Sequence, residues 1–276
     1  MEEIKYDIEN IFSAFDGMSC GQIALNKIGI KYKNYYASEI DKCAMQVTQH
    51  NYSNTIQLGD ITKINICDLP KIDLLIGGSP CQSFSNSGNR KGFDGKSGLF
   101  FEYVRLLKEL KPKYFLLENV VMKKVWQDII SKELDVEPIK INSNLVSAQN
   151  RPRLYWTNIP NISQPLDKKI KLVDILENVI FDKEPYNEKY RSNIAVNYKN
   201  SKFNTLRANA GSKTRGIGIC DDNEYWRKLT PIECERLQCV PDNYTNIVSD
   251  TQRYKMLGNG WTVDVIAHIF KNIKNK

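Results

Sequence analysis

The chain has 276 residues, of which 41% are hydrophobic and 26% charged, and 39 basic against 32 acidic residues give a formal net charge of +7. This composition excludes an intrinsically disordered chain and suffices for one large domain, or one large and one small. The polar start and the shortness of every apolar run predict a cytoplasmic protein with no membrane partner. Seven cysteines without CxxC pairs predict reduced thiols and no metal site.

The first predicted strand covers residues 11–15 and leads through an acidic, glycine-containing turn into a helix that ends at Gly29. Asp16, Gly17 and Gly21 belong to this turn and the start of the helix. Such a turn can bring main-chain amides close to a cofactor. An ordinary glycine-rich turn is the alternative interpretation.

Two further acids stand where the second and third strands are predicted to end. Residues 35–39 form a short strand with Glu39 at its tip, and residues 57–60 repeat the arrangement with Asp60. In a doubly wound sheet the acid after the second strand commonly accepts the hydroxyls of a ribose, and Asp60 is then placed to accept from an exocyclic amine. Solvated loop carboxylates are the alternative for either acid alone.

The central part of the sequence has the pattern of one βαβ unit in a parallel sheet. Apolar runs at residues 72–76 and 114–117 flank a segment of helical period. Cys81 follows the first run and Glu118 the second. Because ligands lie off the carboxyl ends of parallel strands, this thiol and this carboxylate indicate covalent catalysis with proton transfer by the carboxylate.

Residues 83–98 form a long polar loop that contains Arg90, Lys91 and Lys96. Loops of this length in a compact domain are usually functional lids, and the cations suit a phosphate backbone. The spacing of its glycines differs from that of a nucleotide-binding P-loop. After it, residues 99–110 have the apolar period of a helix that packs on the core.

The composition changes between residues 161 and 226, which are rich in asparagine and lysine. Residues 189–215 contain seven basic and no acidic residues, with aromatic side chains interleaved. The positive charge of the chain is therefore concentrated here, which favours a polyanionic partner. A merely solvated basic surface is the alternative.

The C-terminal part returns to regular structure. A capping box at residues 230–233, with proline at the first helical position, predicts the start of a helix. Residues 257–262 are predicted to form a glycine turn in which Asn259 and Trp261 close over a cofactor.

Six short motifs follow one another along the chain: Phe15-Asp16-Gly17, Pro80-Cys81-Gln82, Glu118-Asn119-Val120, Gln149-Asn150-Arg151-Pro152-Arg153, Arg227-Lys228-Leu229-Thr230-Pro231 through Pro241-Asp242, and Gly258-Asn259. This series resembles the motif series of the bacterial and phage cytosine-5 DNA methyltransferases. The tryptophan at position 261 resembles instead the residue that the animal de novo DNA methyltransferases have at this place. The resemblance implies an α/β fold with a doubly wound, mostly parallel seven-stranded sheet. It also implies a catalytic domain of residues 1–160 plus 253–276 and a small target-recognition domain of residues 161–252.

The resemblance further implies S-adenosyl-L-methionine as cofactor, with S-adenosyl-L-homocysteine as product. It assigns twelve residues to the binding pocket of this cofactor. They contact the adenine and its edge, the ribose and the methionine end, or form the remaining walls of the pocket. These residues are Phe15, Asp16, Gly17, Gly21, Glu39, Ile40, Asp60, Ile61, Pro80, Leu99, Asn259 and Trp261.

The implied chemistry explains why these residue types are needed. Carbon-5 of cytosine is a poor nucleophile, so a Cys81 thiolate first adds to carbon-6, and carbon-5 then attacks the sulfonium methyl group. Glu118 donates to ring nitrogen 3 and accepts from the exocyclic amine. Arg153 holds the carbonyl oxygen of the base, and Arg151 supports the loop or the thiolate.

A base stacked in a duplex cannot reach a thiol, so the implied substrate is double-stranded DNA with the target cytosine flipped out. The lid closes over the base, and the basic segment docks in the major groove. The residues assigned to DNA are Ser85, Ser87, Arg90, Lys91, Thr205, Arg207, Lys213 and Arg215.

Other interpretations remain open at this point. A tRNA cytosine-5 methyltransferase has the same fold, although the basic recognition segment favours DNA. A non-enzymatic relative that only binds partners is a third possibility, which the presence of both Cys81 and Glu118 disfavours. Restriction-modification, orphan and phage enzymes are equally compatible with the sequence. We expect a monomer or weak homo-oligomer in the cytoplasm of a bacterial or phage-infected cell, associated with the nucleoid.

Overall fold

The computed structural model describes residues 6–80, 96–180, 195–199, 202–209, 218–223 and 225–273. The chain divides into two compact units. The first consists of Met1–Ile141, Pro152–Gln164 and Ala267–Lys276, and the second of Asn142–Arg151 and Pro165–Ile266. The functional domain limits expected from the sequence stay a prediction.

A seven-stranded sheet organises the first unit. Its strands lie in the order β3-β2-β1-β4-β5-β7-β6, and β7 pairs antiparallel with β5, whereas the pairs from β3 to β5 are parallel. The predicted mostly parallel seven-stranded sheet is therefore confirmed. The strands are β1 (Ile8–Ala14), β2 (Tyr32–Ser38), β3 (Ile56–Gln57), β4 (Leu74–Gly78), β5 (Tyr114–Val120), β6 (Ile139–Asn142) and β7 (Pro152–Thr157).

The predicted strands shift by a few residues for identifiable reasons. β1 ends at Ala14 because Phe15 has a φ of +57°, which no strand residue adopts. β5 runs on to Val120 because its last residues pair with β7, a partner that the sequence pattern does not reveal. Apolar β4 residues Leu74 and Ile76 are fully buried in the middle of the sheet.

The helices of the first unit are α1 (Cys20–Lys27), α2 (Lys42–Asn51), α3 (Phe100–Leu110) and α4 (Lys124–Leu134). Gly29, with a φ of +75°, follows α1 as predicted. Asp41 caps α2 by accepting from two main-chain amides. The predicted apolar face of α3 is confirmed, since Phe100 and Tyr103 are fully buried.

The second unit contains a three-stranded sheet and helical segments. The strands are β8 (Ala195–Asn197), β9 (Gly218–Cys220) and β10 (Trp226–Lys228), and the helices are α5 (Pro231–Leu237), α6 (Asp250–Asn259) and α7 (Val263–Phe270), of which α7 ends in the first unit. The predicted capping box is confirmed, because Thr230 and Glu233 exchange side-chain bonds with each other's main-chain amides.

The predicted glycine turn at residues 257–262 is partly wrong, because α6 continues to Asn259. Gly258 is helical, and a Cβ atom there would lie 2.2 Å from the carbonyl carbon of Arg207 and 2.3 Å from the amide nitrogen of Ala208. The glycine is needed for close packing of main chains rather than for a turn.

Within the described ranges, no helix has both the length and the apolar character needed to cross a membrane.

Candidate active site

Glu39, at the end of β2, fixes the turn that follows β1. Its Oε2 accepts from the amide of Gly17 at 2.8 Å, and its Oε1 accepts from the amides of Ile40 and Asp41, each at 2.8 Å. Within the turn, Gly17 has a φ of +61° and Ser19 a φ of +66°. The carboxylate therefore holds a tightly wound turn in one conformation, where its remaining lone pairs can accept further hydroxyls.

Asp16 lies in the same turn and is half-buried, with its Oδ2 atom in the interior. The hydroxyl of Tyr35 donates to its Oδ1 at 2.8 Å, whereas its Oδ2 is buried without a hydrogen-bond partner. Loss of hydration on burial raises the pKa of Asp16 to about 6, against the opposing effect of hydrogen bonds from Ser13, Ser19 and Tyr35. The turn thus contains a carboxyl group that exchanges its proton at mildly acidic pH.

Two other residues predicted to bind the cofactor lie in this part of the first unit. Gly21 is buried in α1, and a Cβ atom there would lie 2.5 Å from Ile76 Cδ1 and 2.8 Å from the Tyr35 hydroxyl. Packing of α1 on the sheet alone therefore requires a glycine at this position. Ile40 is 72% exposed, so its apolar side chain is available to cover a ligand.

Asp60 caps a short 3-10 turn at Ile61–Lys63. Its Oδ1 accepts from the amide of Thr62 at 3.0 Å and from the Thr62 hydroxyl at 2.8 Å, and these bonds lower the pKa of Asp60. Ile61 is buried. The carboxylate is therefore ionised and held by its own turn.

The remaining predicted cofactor residues are placed as follows. Phe15 and Leu99 are half-buried and pack on the main core of the first unit, and Pro80 is half-buried after β4. In the second unit, Asn259 is exposed at the end of α6, and Trp261 is half-buried two residues later.

The predicted proton donor Glu118 lies at the end of β5 and contacts β7. It pairs in register with Gly78 of β4 on one side and with Tyr155 of β7 on the other. Arg153 Nε lies 2.9 Å from Glu118 Oε1, and each side chain is 12% exposed. The structure therefore brings together two of the four predicted catalytic side chains in a largely desolvated ion pair.

Cys81 lies outside the described residues, three positions after Gly78, the last residue of β4. Its predicted role as nucleophile stays a prediction. The same holds for several residues assigned to DNA, namely Ser85, Ser87, Arg90, Lys91, Lys213 and Arg215.

Arg151, in the second unit, is 4% exposed and donates to main-chain carbonyl groups. Its Nη1 donates to Leu206 O at 2.7 Å, and its Nη2 donates to Gly258 O at 3.1 Å and Gly260 O at 2.9 Å. These bonds favour a supporting role, in which the guanidinium fixes main chain around the predicted recognition and cofactor residues.

Gln149 and Gln238 complete this buried cluster, and both are fully buried. Gln149 accepts from the amide of Leu206 at 2.7 Å and donates to Gln238 Oε1 at 3.2 Å. Gln238 in turn donates to Leu257 O at 2.7 Å and Gly260 O at 3.1 Å. Both main-chain polar groups of Leu206 are thus bound by side chains of one cluster.

The described part of the basic segment contains cations with different environments. Arg207 is exposed, and the Thr205 hydroxyl donates to Asn150 O at 2.7 Å. Lys202 Nζ donates to the carbonyls of Ser147 and Ile170, and Lys199 pairs with an acid, Asp222. Arg207 and Lys199 both have the exposure expected of a nucleic-acid contact, but Lys199 is paired with an acid.

The sequence patterns did not assign a role to Asn119, which donates a hydrogen bond to Ser79, or to Tyr35, which donates one to Asp16. Asn119 lies inside the Glu118-Asn119-Val120 motif, so a signal for it existed. Tyr35 is one of several tyrosines in β2, and nothing in the sequence distinguishes it.

Among the described residues, no group of three or more histidine, cysteine, aspartate or glutamate side chains is arranged to hold a metal ion.

Comparison with known proteins gives concordant matches. The family model described as C-5 cytosine-specific DNA methylase matches residues 9–275. The Type II methyltransferase M1.ScrFI of Lactococcus lactis subsp. cremoris is 36% identical over 307 residues, covering 96% of this chain and 77% of the relative. The Type II methyltransferase M.NlaX of Neisseria lactamica is 34% identical over 274 residues, covering 87% of this chain and 88% of the relative.

Among solved structures, the Entamoeba histolytica methyltransferase EhMeth has a TM-score of 0.81 and 19% sequence identity, with coverage of 99% of this chain and 100% of that chain. This likeness concerns the fold.

Proposed function

The chain belongs to the C-5 cytosine-specific DNA methylase family and is a DNA cytosine-5 methyltransferase, and we propose that it acts on a cytosine flipped out of duplex DNA through Cys81 and Glu118. The observation that carries the proposal is the Glu118–Arg153 ion pair at the ends of β5 and β7, next to the strand that leads to Cys81.

We propose that the turn after β1 and the end of β2 bind S-adenosylmethionine, which supplies an electrophilic methyl group when bound. The chemistry of the donor set fits this ligand. Glu39 would accept the ribose hydroxyls, Ile40 would cover the adenine, and the unpartnered Oδ2 of Asp16 would accept from a donor of the ligand. These roles are supported by the fixed carboxylate and the exposed apolar side chain beside it.

Glu118 and Arg153 would bind the two polar edges of the flipped base. A protonated Glu118 would donate to ring nitrogen 3 and accept from the exocyclic amine, while Arg153 would donate to the carbonyl oxygen. Their ion pair orients both groups before the base arrives, and their low exposure strengthens each bond to it.

The Cys81 thiolate would attack carbon-6 of the base. Electron density pushed into the ring is then stabilised by the proton from Glu118, and carbon-5 becomes nucleophilic. After methylation, loss of the carbon-5 proton expels Cys81 and restores the ring. The thiol is suited to both steps because it adds to carbon and leaves again.

We infer that the partner is double-stranded DNA, since a base must leave the stack to reach a thiol. The exposed Arg207 and the basic segment around it would contact the duplex. This substrate implies the cytoplasm of a bacterial or phage-infected cell as the place of action.

Methylation mapping tests the proposal directly. The protein is expressed in cells that lack cytosine-5 methylation, and their DNA is sequenced after bisulfite treatment. We expect protected cytosines at one short duplex sequence with wild-type protein and none with Cys81→Ser. Purified protein should also transfer labelled methyl groups to duplexes of that sequence.

Two results would contradict the proposal. Full methylation by Cys81→Ser would exclude this nucleophile. Label transfer to tRNA, with the duplex left unmodified, would replace the substrate by RNA.

A further inference from the structure

Asn119 follows Glu118 at the end of β5, and its side chain crosses to the end of β4. Its Nδ2 donates to Ser79 Oγ at 3.0 Å and lies 3.3 Å from Ser79 O. Asn119 is 1% exposed and Ser79 is 4% exposed. Two polar groups are therefore joined in the interior between neighbouring strands.

The orientation of this amide is fixed from its other side. Asn119 Oδ1 accepts from the amide of Val120 at 2.8 Å. Since the oxygen faces a donor, the NH2 group must face Ser79, whose carbonyl can only accept. The side chain therefore has one orientation in which all of its contacts are satisfied.

The bond continues the strand pairing beyond the main-chain register. β4 and β5 pair in parallel from Leu74 and Tyr114 up to Gly78 and Glu118. Two positions after Gly78, Pro80 has no amide hydrogen to donate. Asn119 thus joins the two strand ends where the chain leaves the sheet.

The two joined strand ends carry the two reacting groups of the proposed mechanism. Ser79 lies two residues before Cys81, and Asn119 comes directly after Glu118. A change in the distance between these ends would change how sulfur and carboxyl group meet one base. Such misplacement by an ångström is sufficient to slow a reaction strongly.

We propose that Asn119 is a positioning residue for the attack of Cys81: through Ser79 it sets the chain that leads to Cys81 against Glu118. The inference rests on the proposed function, since it assigns the nucleophile and the proton donor to these strand ends. Asn119 itself would contact neither the base nor the cofactor.

The test uses the full chain, S-adenosylmethionine and a duplex with 5-fluorocytosine at the methylated position mapped by bisulfite sequencing. The fluorine blocks the final elimination, so the covalent adduct accumulates and its rate of formation is measurable. We expect Asn119→Ala to form the adduct about tenfold to a hundredfold more slowly, with dissociation constants for the duplex and for S-adenosylhomocysteine within about twofold of wild type.

A matched control exists at the opposite end of the same strand. Asn158 Oδ1 accepts from the amide of Phe115 at 2.9 Å, and its Nδ2 donates to Lys113 O at 3.0 Å. Asn158→Ala removes one bond to β5 and one to the residue before it from an exposed side chain, so we expect a smaller loss of melting temperature than in Asn119→Ala and an unchanged adduct rate.

Ser79→Ala provides a milder variant, since it removes the hydroxyl and keeps the carbonyl that Asn119 also approaches. We expect a slower adduct here too, with a smaller effect than in Asn119→Ala. In the double variant the two effects should be less than additive, because both remove one interaction.

An Asn119→Ala or Ser79→Ala protein that forms the adduct at the wild-type rate would overturn the inference. Equal slowing in Asn158→Ala would also overturn it, since the effect would then reflect general loosening of β5. A wild-type protein that methylates the duplex without any adduct would overturn the proposed function and, with it, this role.

Discussion

Arg153 and Arg151 lie two residues apart on the chain, yet they belong to regions with different hydrogen bonding. Arg153, in β7 of the first unit, pairs with the carboxylate of Glu118 at 2.9 Å. Arg151, in the second unit, donates to the carbonyls of Leu206, Gly258 and Gly260. The Arg153 guanidinium therefore meets a charged side chain in addition to the carbonyl of its neighbour Pro152, whereas these bonds of Arg151 all go to main chain.

The difference teaches how to separate a reacting arginine from a supporting one. A guanidinium that is paired with one carboxylate has donors left for a substrate and is oriented by its partner. A guanidinium that donates to three main-chain carbonyls cannot turn away without leaving buried ones unpaired, here those of Leu206 and Gly258. We therefore expect Arg153 to act on the base and Arg151 to hold the main chain.

The largest expected effect concerns the carboxylate in the first region. Glu118→Gln keeps the size of the side chain but removes the transferable proton, so we expect single-turnover methyl transfer to fall about 10²- to 10⁴-fold. Glu102→Gln is the control, since Glu102 also lies 2.9 Å from an arginine, Arg105. A Glu118→Gln enzyme within about threefold of wild type would remove Glu118 from the proton transfer.

The two arginines should separate activity from stability. Arg151→Met takes the arginine donor from the buried carbonyls of Leu206 and Gly258, whereas Gly260 O keeps the amide of Gln238, and we expect the free energy of unfolding to fall by about 3–5 kcal/mol. Arg153→Met takes the arginine donor from the Glu118 carboxylate and from the part-buried Pro152 carbonyl, and we expect a loss of about 1–2 kcal/mol together with a much larger loss of methyl transfer per folded molecule. Urea unfolding and single-turnover rates measure both quantities. A larger loss of unfolding free energy in Arg153→Met than in Arg151→Met would contradict the roles given to the two arginines.

Asp16 adds a third kind of charged group, a buried carboxyl with a pKa raised from 3.8 to about 6. The folded state binds this proton more tightly than the unfolded state, so the group's contribution to stability is present below about pH 4 and lost as pH rises to about 6. We expect Asp16→Asn to become more stable than wild type across this window, by up to about 3 kcal/mol above it. Urea unfolding at several pH values tests this, and a constant difference between the two proteins would contradict it.

The smallest expected effect lies in the second unit. Thr230→Ala removes the side-chain cap of α5 and a bond to Glu177, and we expect a loss of about 1 kcal/mol in the free energy of unfolding. Ser249 occupies the same position before α6 but makes no capping bond, so Ser249→Ala should change it by no more than about 0.3 kcal/mol. Thermal unfolding of both variants provides the comparison. Equal losses would show that the capping bond adds nothing.

The acidic residues at the strand ends of the first unit were predictable because each follows a short run with the pattern of a strand. Glu39 and Glu118 each stand at the tip of such a run, and parallel strands bring their carboxyl ends to one edge. The ion pair of Glu118 with Arg153 required the antiparallel strand β7, whose neighbour in the sheet is not encoded in local periodicity.

The cluster around Arg151 was not predictable from residue pattern. Its acceptors are main-chain carbonyls that lie 55 and 107 residues away along the chain, and any residue type provides a carbonyl. The helical conformation of Gly258 was missed for a similar reason, because the glycine serves contact with a distant main chain rather than a turn. The predicted roles of Cys81 and of the lid residues stay predictions.

Identification of the covalently bound residue tests the central claim most directly. Full-length protein is incubated with S-adenosylmethionine and the mapped duplex carrying 5-fluorocytosine, digested with protease and analysed by mass spectrometry. We predict one nucleotide adduct, on the peptide that contains Cys81, and none on peptides of the other six cysteines. An adduct on a different residue, or methylated product from the unsubstituted duplex with no adduct ever formed on the fluorinated one, would contradict the account.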